Sequence, residues 1–215
     1  MKIVISGTGR GIGKAIAERF IAAGDTVFGF DTRESAIEHP SYRHFVFDIV
    51  RDELSEPIEP DILINNAGTL EEKDTLSVNL EGNIRFTELF KNGANLRSVL
   101  FIASASARNG AEFPYYVASK AGIVGYMKNL ALALSKRGIT VNSISPGGVI
   151  TESNAHILES ESLYAAVLNE TLLNKWAEPE EVAELAYYLT KVNRSITGED
   201  ILIDNGEMLK SNFIW

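Results

Sequence analysis

The sequence predicts an α/β protein built on a doubly wound parallel sheet flanked by helices. Three observations predict it. A short apolar strand runs into a glycine-rich turn that opens an amphipathic helix, strand and helix patterns then alternate along the chain, and no composition shift marks a linker between two units. The 215 residues, 45% of them hydrophobic, suffice for one sizeable core and would crowd two, so a single domain over 1–215 is expected.

Residues 1–5 read as a strand that enters Ser6-Gly7-Thr8-Gly9-Arg10-Gly11-Ile12-Gly13. From Ile12 to Ala23, the side chains of Ile12, Ala15, Ile16 and Phe20 share one helical face, and Gly24 suits the C-terminal cap. Thr26 to Phe30 forms a second strand that ends at Asp31. A third strand is expected at Phe45 to Phe47 and a fourth at Asp61 to Ile64. Pro57 and Pro60 lie between them and leave little room for a long helix, so that connection should be reduced or irregular. A helix over Thr75 to Phe90, a strand at Val99 to Ile102, a helix from Val117 through Lys136 and a strand at Thr140 to Ile144 follow. Pro179 opens a late helix with Glu180 and Glu181 in its first turn, and Ile201 to Ile203 supplies the last strand. The order strand, glycine turn, helix, strand is Rossmann-like, with shortened central crossovers.

Charge and composition exclude several functions. A net charge of -9 and a pI near 4.9 offer no basic footprint, so no nucleic-acid partner is expected. Absence of cysteine removes disulfides, thiolate metal ligands and cysteine nucleophiles. His39, His44 and His156 lack metal-ligand spacing and read as solvent-facing or loop residues, so no metal is expected. Lys2 is followed only by Ile3, Val4 and Ile5 before small and polar residues, and no segment gives eighteen uninterrupted apolar positions. A soluble cytoplasmic protein with no membrane partner is the expectation.

Gly7, Gly11 and Gly13 permit a dinucleotide to approach the backbone, and N–H groups at the helix start can receive its pyrophosphate. Ser6, Gly7, Thr8, Arg10, Gly11, Ile12 and Gly13 are therefore candidate cofactor contacts, although any tight strand-to-helix turn can use such glycines. Asp31, eighteen residues past Gly13, stands where a carboxylate can bind adenosine ribose hydroxyls. Its charge would repel a 2′-phosphate, which makes NAD the preferred cofactor. Arg10 and Arg33 keep NADP possible, since either could meet a phosphate or simply project into solvent. Asn66, Ala67 and Gly68, in the turn after the fourth strand, leave space beside a nucleotide, and Asp48 could contact adenine or serve a surface turn.

Tyr116 and Lys120 lie four positions apart on a helix and can share a face, as also happens on ordinary helices. Lowering a phenol by about three units from its usual pKa of about 10 needs roughly 4 kcal/mol of differential stabilisation. A lysine cation, helped by an oxidised nicotinamide, has the correct sign to supply it. Tyr116 is then the general acid or base, Lys120 also holds the nicotinamide ribose, and Ser104 binds the substrate oxygen. Ser106 and Tyr115 are nearby alternatives. Asn79 completes the set as an inward amide that orders water, or else occupies a surface or kink position.

This combined pattern resembles the short-chain dehydrogenase/reductase family. The stretch from Ser6 to Gly13 is similar to its glycine fingerprint, Asn65 to Gly68 to its NNAG motif, and Tyr116 to Lys120 to its YxxxK signature. Ser104 and Asn79 fall where the family's catalytic serine and asparagine would be expected. Pro146-Gly147 and then Thr151 resemble its nicotinamide-binding loop, with Val149 and Thr151 approaching the carboxamide. Trp176 to Ala183 and Ile196 to Glu199 extend the likeness over almost the whole chain.

The resemblance implies a hydride-transferring oxidoreductase acting on a small alcohol or carbonyl substrate, a substrate-covering segment at 151–176, and a homotetramer or homodimer built through helices 75–90 and 117–136. A catalytically weak nucleotide-binding regulatory protein is the alternative. An extended-family epimerase or dehydratase is a further one, against which the short chain argues. Three departures stand out: Ser6 replaces a commoner threonine, the interval from Ser104 to Tyr116 is one position short of the frequent spacing, and Gly68 lies unusually close to Asn79. The last is expected to widen the cleft or alter assembly.

Overall fold

In the computed structural model, which describes residues 1–210, strand β1 (Lys2–Ser6) passes into helix α1 (Gly11–Ala22) and returns as β2 (Thr26–Asp31). The final residues of the expected 1–215 domain, 211–215, lie outside the described residues. Strands β3 (Tyr42–Val46) and β4 (Ile62–Asn65) follow without a helix before either. A π-helical turn over Leu76–Gly82 leads into α2 (Asn83–Phe90), then β5 (Ser98–Ile102), the short α3 (Ser106–Asn109), α4 (Pro114–Leu134) and β6 (Thr140–Pro146). Two small helices, α5 (Ala155–Leu158) and α6 (Glu161–Asn169), precede α7 (Pro179–Tyr187) and β7 (Asp200–Ile203).

The seven strands pair in the order β3-β2-β1-β4-β5-β6-β7, all parallel. Both faces are covered, which explains why the central strands read as unbroken apolar runs. Ile3, Ile5, Ile62, Ile64 and Leu100 point toward α1 and α7, while Val4, Leu63, Val99 and Phe101 point toward α2 and α4. Each such fully buried side chain contributes roughly 1.5–3 kcal/mol of transfer free energy.

The shortened crossovers expected between the third and fourth strands are present, and the β2–β3 connection is equally bare. Phenylalanines take the place of a covering helix. Phe30 stacks on Phe45 with ring centres 4.7 Å apart and meets Phe47, Phe86 and Phe90 edge-on.

Two boundaries differ from expectation in ways that matter to the site. Pro114 sits at the first position of α4, where its missing N–H is harmless, so the helix starts earlier and Tyr116 falls in its first turn. The helix expected over Thr75 to Phe90 begins as a wide π turn because Asn83 Nδ2 donates to the carbonyls of Val78 and Asn79, each at 3.1 Å, and so satisfies groups the wider winding frees. Glu178 and Glu181 form a capping box at the start of α7. Among the described residues no helix is long and apolar enough to cross a membrane.

Candidate active site

The glycine turn is shaped by what it must avoid. Gly7 and Gly11 have φ of +76° and +52°, and a Cβ on Gly13 would collide with the carbonyl oxygen of Gly7. At the start of α1, Arg10 makes no side-chain cap, so the first-turn N–H groups are left for another acceptor. Asn66 Nδ2 donates to the carbonyls of Ser6 and Gly7 at 3.1 and 2.9 Å and binds the two turns together.

A cleft of about 710 Å³ runs along the C-terminal ends of the strands. Asp31, Asp48 and Arg33 line one end, Gly7, Arg10, Gly11, Ile12 and Gly13 line the middle, and Asn66, Ala67 and Gly68 face them. Ser104, Tyr116, Lys120, Pro146, Gly147, Val149 and Thr151 line the other end. The Asp31 carboxylate accepts from Gly9 N at 2.8 Å and Arg33 N at 2.9 Å, which fixes its direction while leaving lone pairs on both oxygens. Asp48 accepts from Val50 N at 2.8 Å. The glycines without room for a side chain, the open helix N-terminus and the elongated shape all fit a nicotinamide dinucleotide.

Three candidate residues stand away from the cleft wall. Ser6 is fully buried behind the turn, where its Oγ accepts from Asn66 N and Ala67 N at 3.0 and 3.1 Å. Thr8 is buried too, with its hydroxyl 2.8 Å from Tyr42 Oη. Asn79 does not line the cleft: its Oδ1 accepts from Thr69 N at 2.8 Å, and its Nδ2 donates to Thr69 O at 3.0 Å and to Ser119 Oγ at 3.4 Å. The Asn79 amide thus holds the loop after Gly68, with one lone pair left on Oδ1.

At the chemical end, Lys120 is buried and donates from Nζ to the carbonyl of Ile102 at 3.0 Å. Burial lowers its pKa to about 8. Its nitrogen lies 5.6 Å from the centre of the Tyr116 ring. Burial raises the Tyr116 pKa, a hydrogen bond from Ser104 opposes that rise, and the Glu112 charge adds to it. Burial thus sets the direction for Tyr116, while the Lys120 ammonium is turned to a backbone carbonyl.

Ser104 Oγ accepts from Ser106 Oγ at 2.9 Å and from Ser106 N at 3.2 Å. Ser106, weighed above as a substitute for Ser104, is instead its donor. Sequence reasoning missed the Ile102 carbonyl and Glu112. A backbone acceptor leaves no residue-type signal, and Glu112, with φ +134°, is placed by a turn that its sequence does not announce.

Segment 151–176 leaves and rejoins the sheet at one point, where Val149 and Ala177 form a parallel bridge and Ile150 N donates to Ala177 O at 2.9 Å. Helices α5 and α6 within it bury no residue of their own. Tyr164 meets Trp176 edge-on at 6.2 Å, and a Cβ on Gly148 would strike the same indole.

The family described as enoyl-(acyl carrier protein) reductase matches residues 7–207. A curated 3-oxoacyl-(acyl-carrier-protein) reductase from Buchnera aphidicola is 31% identical over 238 aligned positions, which cover 94% of this chain and 95% of the relative. Among solved structures, a short chain dehydrogenase family protein from Francisella tularensis superposes with a TM-score of 0.87 at 26% identity, covering 97% of this chain and 99% of its own. A 4-hydroxyisoleucine dehydrogenase complexed with NADH gives 0.88 at 27% identity, with 98% and 100% covered.

Proposed function

The chain belongs to the short-chain dehydrogenase/reductase family, and from that membership we propose how its cleft divides the work of hydride and proton transfer. It is a nicotinamide-dependent oxidoreductase of the CH–OH and carbonyl type. The observation that carries the reading is that Ser104, Tyr116 and Lys120 open onto the same cleft as the glycine turn. When bound, the nicotinamide ring accepts or supplies the hydride.

The amides at the start of α1 receive the pyrophosphate, Asp31 takes the adenosine ribose hydroxyls, and Asp48 stands beside the adenine. Asn66, Ala67 and Gly68 form the opposite wall. Pro146, Gly147, Val149 and Thr151 border the carboxamide, and Lys120 reaches the second ribose. Asp31 supports NAD over NADP. Ser104 holds the substrate oxygen, and Tyr116 Oη donates a proton to it in reduction or accepts one in oxidation. Burial raises the Tyr116 pKa, which favours the protonated form required of a proton donor. Asn79 is a positioning residue: it fixes Thr69 next to Gly68, whose Cβ position lies 3.7 Å from Lys120 Nζ.

We assign 1–215 to one domain, with 151–176 covering a small alcohol or carbonyl substrate. The working form is a cytoplasmic homotetramer, in which the exposed Tyr115 and Leu132 of α4 meet another copy. Light scattering at micromolar concentration should give a tetramer, and a monomer would sink that assembly. The reaction is tested by mixing the purified chain with oxidised or reduced cofactor and a panel of small alcohols and carbonyls, following nicotinamide absorbance. Turnover of any panel member supports the reading. Tight cofactor binding with no hydride transfer across the panel favours the regulatory alternative.

A further inference from the structure

Behind the adenosine end of the cleft, four groups form a continuous hydrogen-bonded chain that the proposed mechanism does not use. Thr8 Oγ1 lies 2.8 Å from Tyr42 Oη, Tyr42 Oη lies 2.8 Å from His44 Nδ1, and His44 Nε2 lies 2.8 Å from the carbonyl oxygen of Arg33. The carbonyl at one end sets every direction. It can only accept, so His44 donates from Nε2. In the neutral ring Nδ1 then accepts from the Tyr42 hydroxyl, and the Tyr42 oxygen accepts from Thr8.

The chain lies over one face of the sheet, where β2 leaves room for it. A Cβ on Gly29, in the middle of β2, would strike both the Tyr42 hydroxyl and Thr8 Oγ1. The same two loops are also joined through Asp31, which accepts from Gly9 N and Arg33 N. Arg33 is thus held at its N–H by Asp31 and at its carbonyl by His44, while neighbouring residues 8 and 9 are held by Tyr42 and Asp31. The two bridges close a ring around the carboxylate expected to grip the ribose.

We propose that Tyr42 and His44 are positioning residues for the adenosine half of the cofactor, holding the glycine turn and the loop after β2 in the register that aims Asp31. This rests on the nicotinamide cofactor reading above and adds to it the residues that set cofactor affinity without touching it. Breaking the chain should weaken binding of the adenosine half and leave the chemical end, on the far side of the cleft, unchanged.

The test uses the full-length protein with ADP-ribose, which lacks the nicotinamide ring, as the probe in calorimetric titration. Tyr42→Phe keeps the ring in the Gly29 gap and removes only the hydroxyl. It should raise the Kd for ADP-ribose and the KM for the dinucleotide about five- to tenfold, with kcat at saturating cofactor within about twofold. Thr8→Val should do the same, and the double variant should lose no more than the larger single loss, because both cut one chain. His44→Gln, which can restore the donor to the Arg33 carbonyl, should retain more affinity than His44→Ala. Unchanged ADP-ribose affinity in Tyr42→Phe would overturn the proposal, as would equal losses in KM and kcat. A wild-type chain that bound neither ADP-ribose nor dinucleotide would instead overturn the cofactor reading, and this inference with it.

Discussion

Lys120 Nζ donates to the carbonyl oxygen of Ile102 at 3.0 Å, tying the helix that carries Tyr116 to the strand that ends two residues before Ser104. One buried amine therefore joins the two segments on which the chemical end is built. It also leaves a cation with little solvation.

That burial has a pH signature. The Lys120 pKa is lowered from 10.5 in the unfolded chain to about 8 in the fold, so the folded state resists protonation. The resulting penalty is fully present below pH 8 and is relieved as pH rises toward 10.5, which means stability rises with pH across that window. Lys120→Met removes this dependence. Denaturant unfolding of the cofactor-free forms should show the stability difference between variant and wild type shifting by about 3 kcal/mol between pH 7 and pH 10.5. A constant difference would mean that Lys120 is well solvated.

Tyr116→Phe should lower kcat by about 10²–10⁴ while the Kd for the cofactor stays within about threefold. Because burial raises the Tyr116 pKa, the phenolate absorbance lost in this variant should belong to a step above pH 10 when no cofactor is present. Unchanged turnover on an authentic substrate would remove Tyr116 from the reaction.

Asp31→Ser withdraws the charge that would repel a 2′-phosphate and two backbone anchors, those of Gly9 and Arg33. NAD affinity should fall at least about tenfold, and NADP affinity should fall less or rise. Titration of both cofactors measures this. A wild-type chain that already favours NADP by tenfold would refute the NAD assignment.

Gly13 and Gly125 should respond oppositely to alanine. At Gly13 the new methyl meets the Gly7 carbonyl, so Gly13→Ala should cost about 2–4 kcal/mol and abolish dinucleotide binding. Gly125 lies in the interior of α4, exposed and with nothing within 4 Å of its Cβ position, so Gly125→Ala should stabilise the monomer by about 0.5–1 kcal/mol. Thermal unfolding of both variants is the measurement. A loss at Gly125 would mark that face of α4 as covered in the assembly.

The sheet and the cofactor cradle were legible because their signals are local and periodic. β1, the glycine turn and α1 announce themselves through apolar spacing and a backbone that only glycine tolerates, and Tyr116 and Lys120 through one helical turn. The π turn at Leu76–Gly82 was not legible, since an asparagine side chain rather than a helix-former decides it, and with it went the pairing of Asn79 with Thr69. His44 looked like a loop histidine because its partners, Tyr42 and the Arg33 carbonyl, are brought to it by the sheet. Gly29 was the available clue: a glycine inside an apolar strand marks a close approach.

The bare connections on either side of β3 have a kinetic consequence for the enzyme. Residues 32–41 and 47–61 carry no helix beyond a single turn in which Asp52 N donates to Asp48 O, and phenylalanine packing, the His44 bond to the Arg33 carbonyl and Arg85 secure that flank. Their amides should exchange with deuterium earlier than those of β1, β4 and β5, and cofactor binding should slow them. Slower exchange on binding would show that ordering these loops offsets part of the cofactor's affinity. A truncated scaffold of this kind suits an enzyme that must release and reload its cofactor at every turnover.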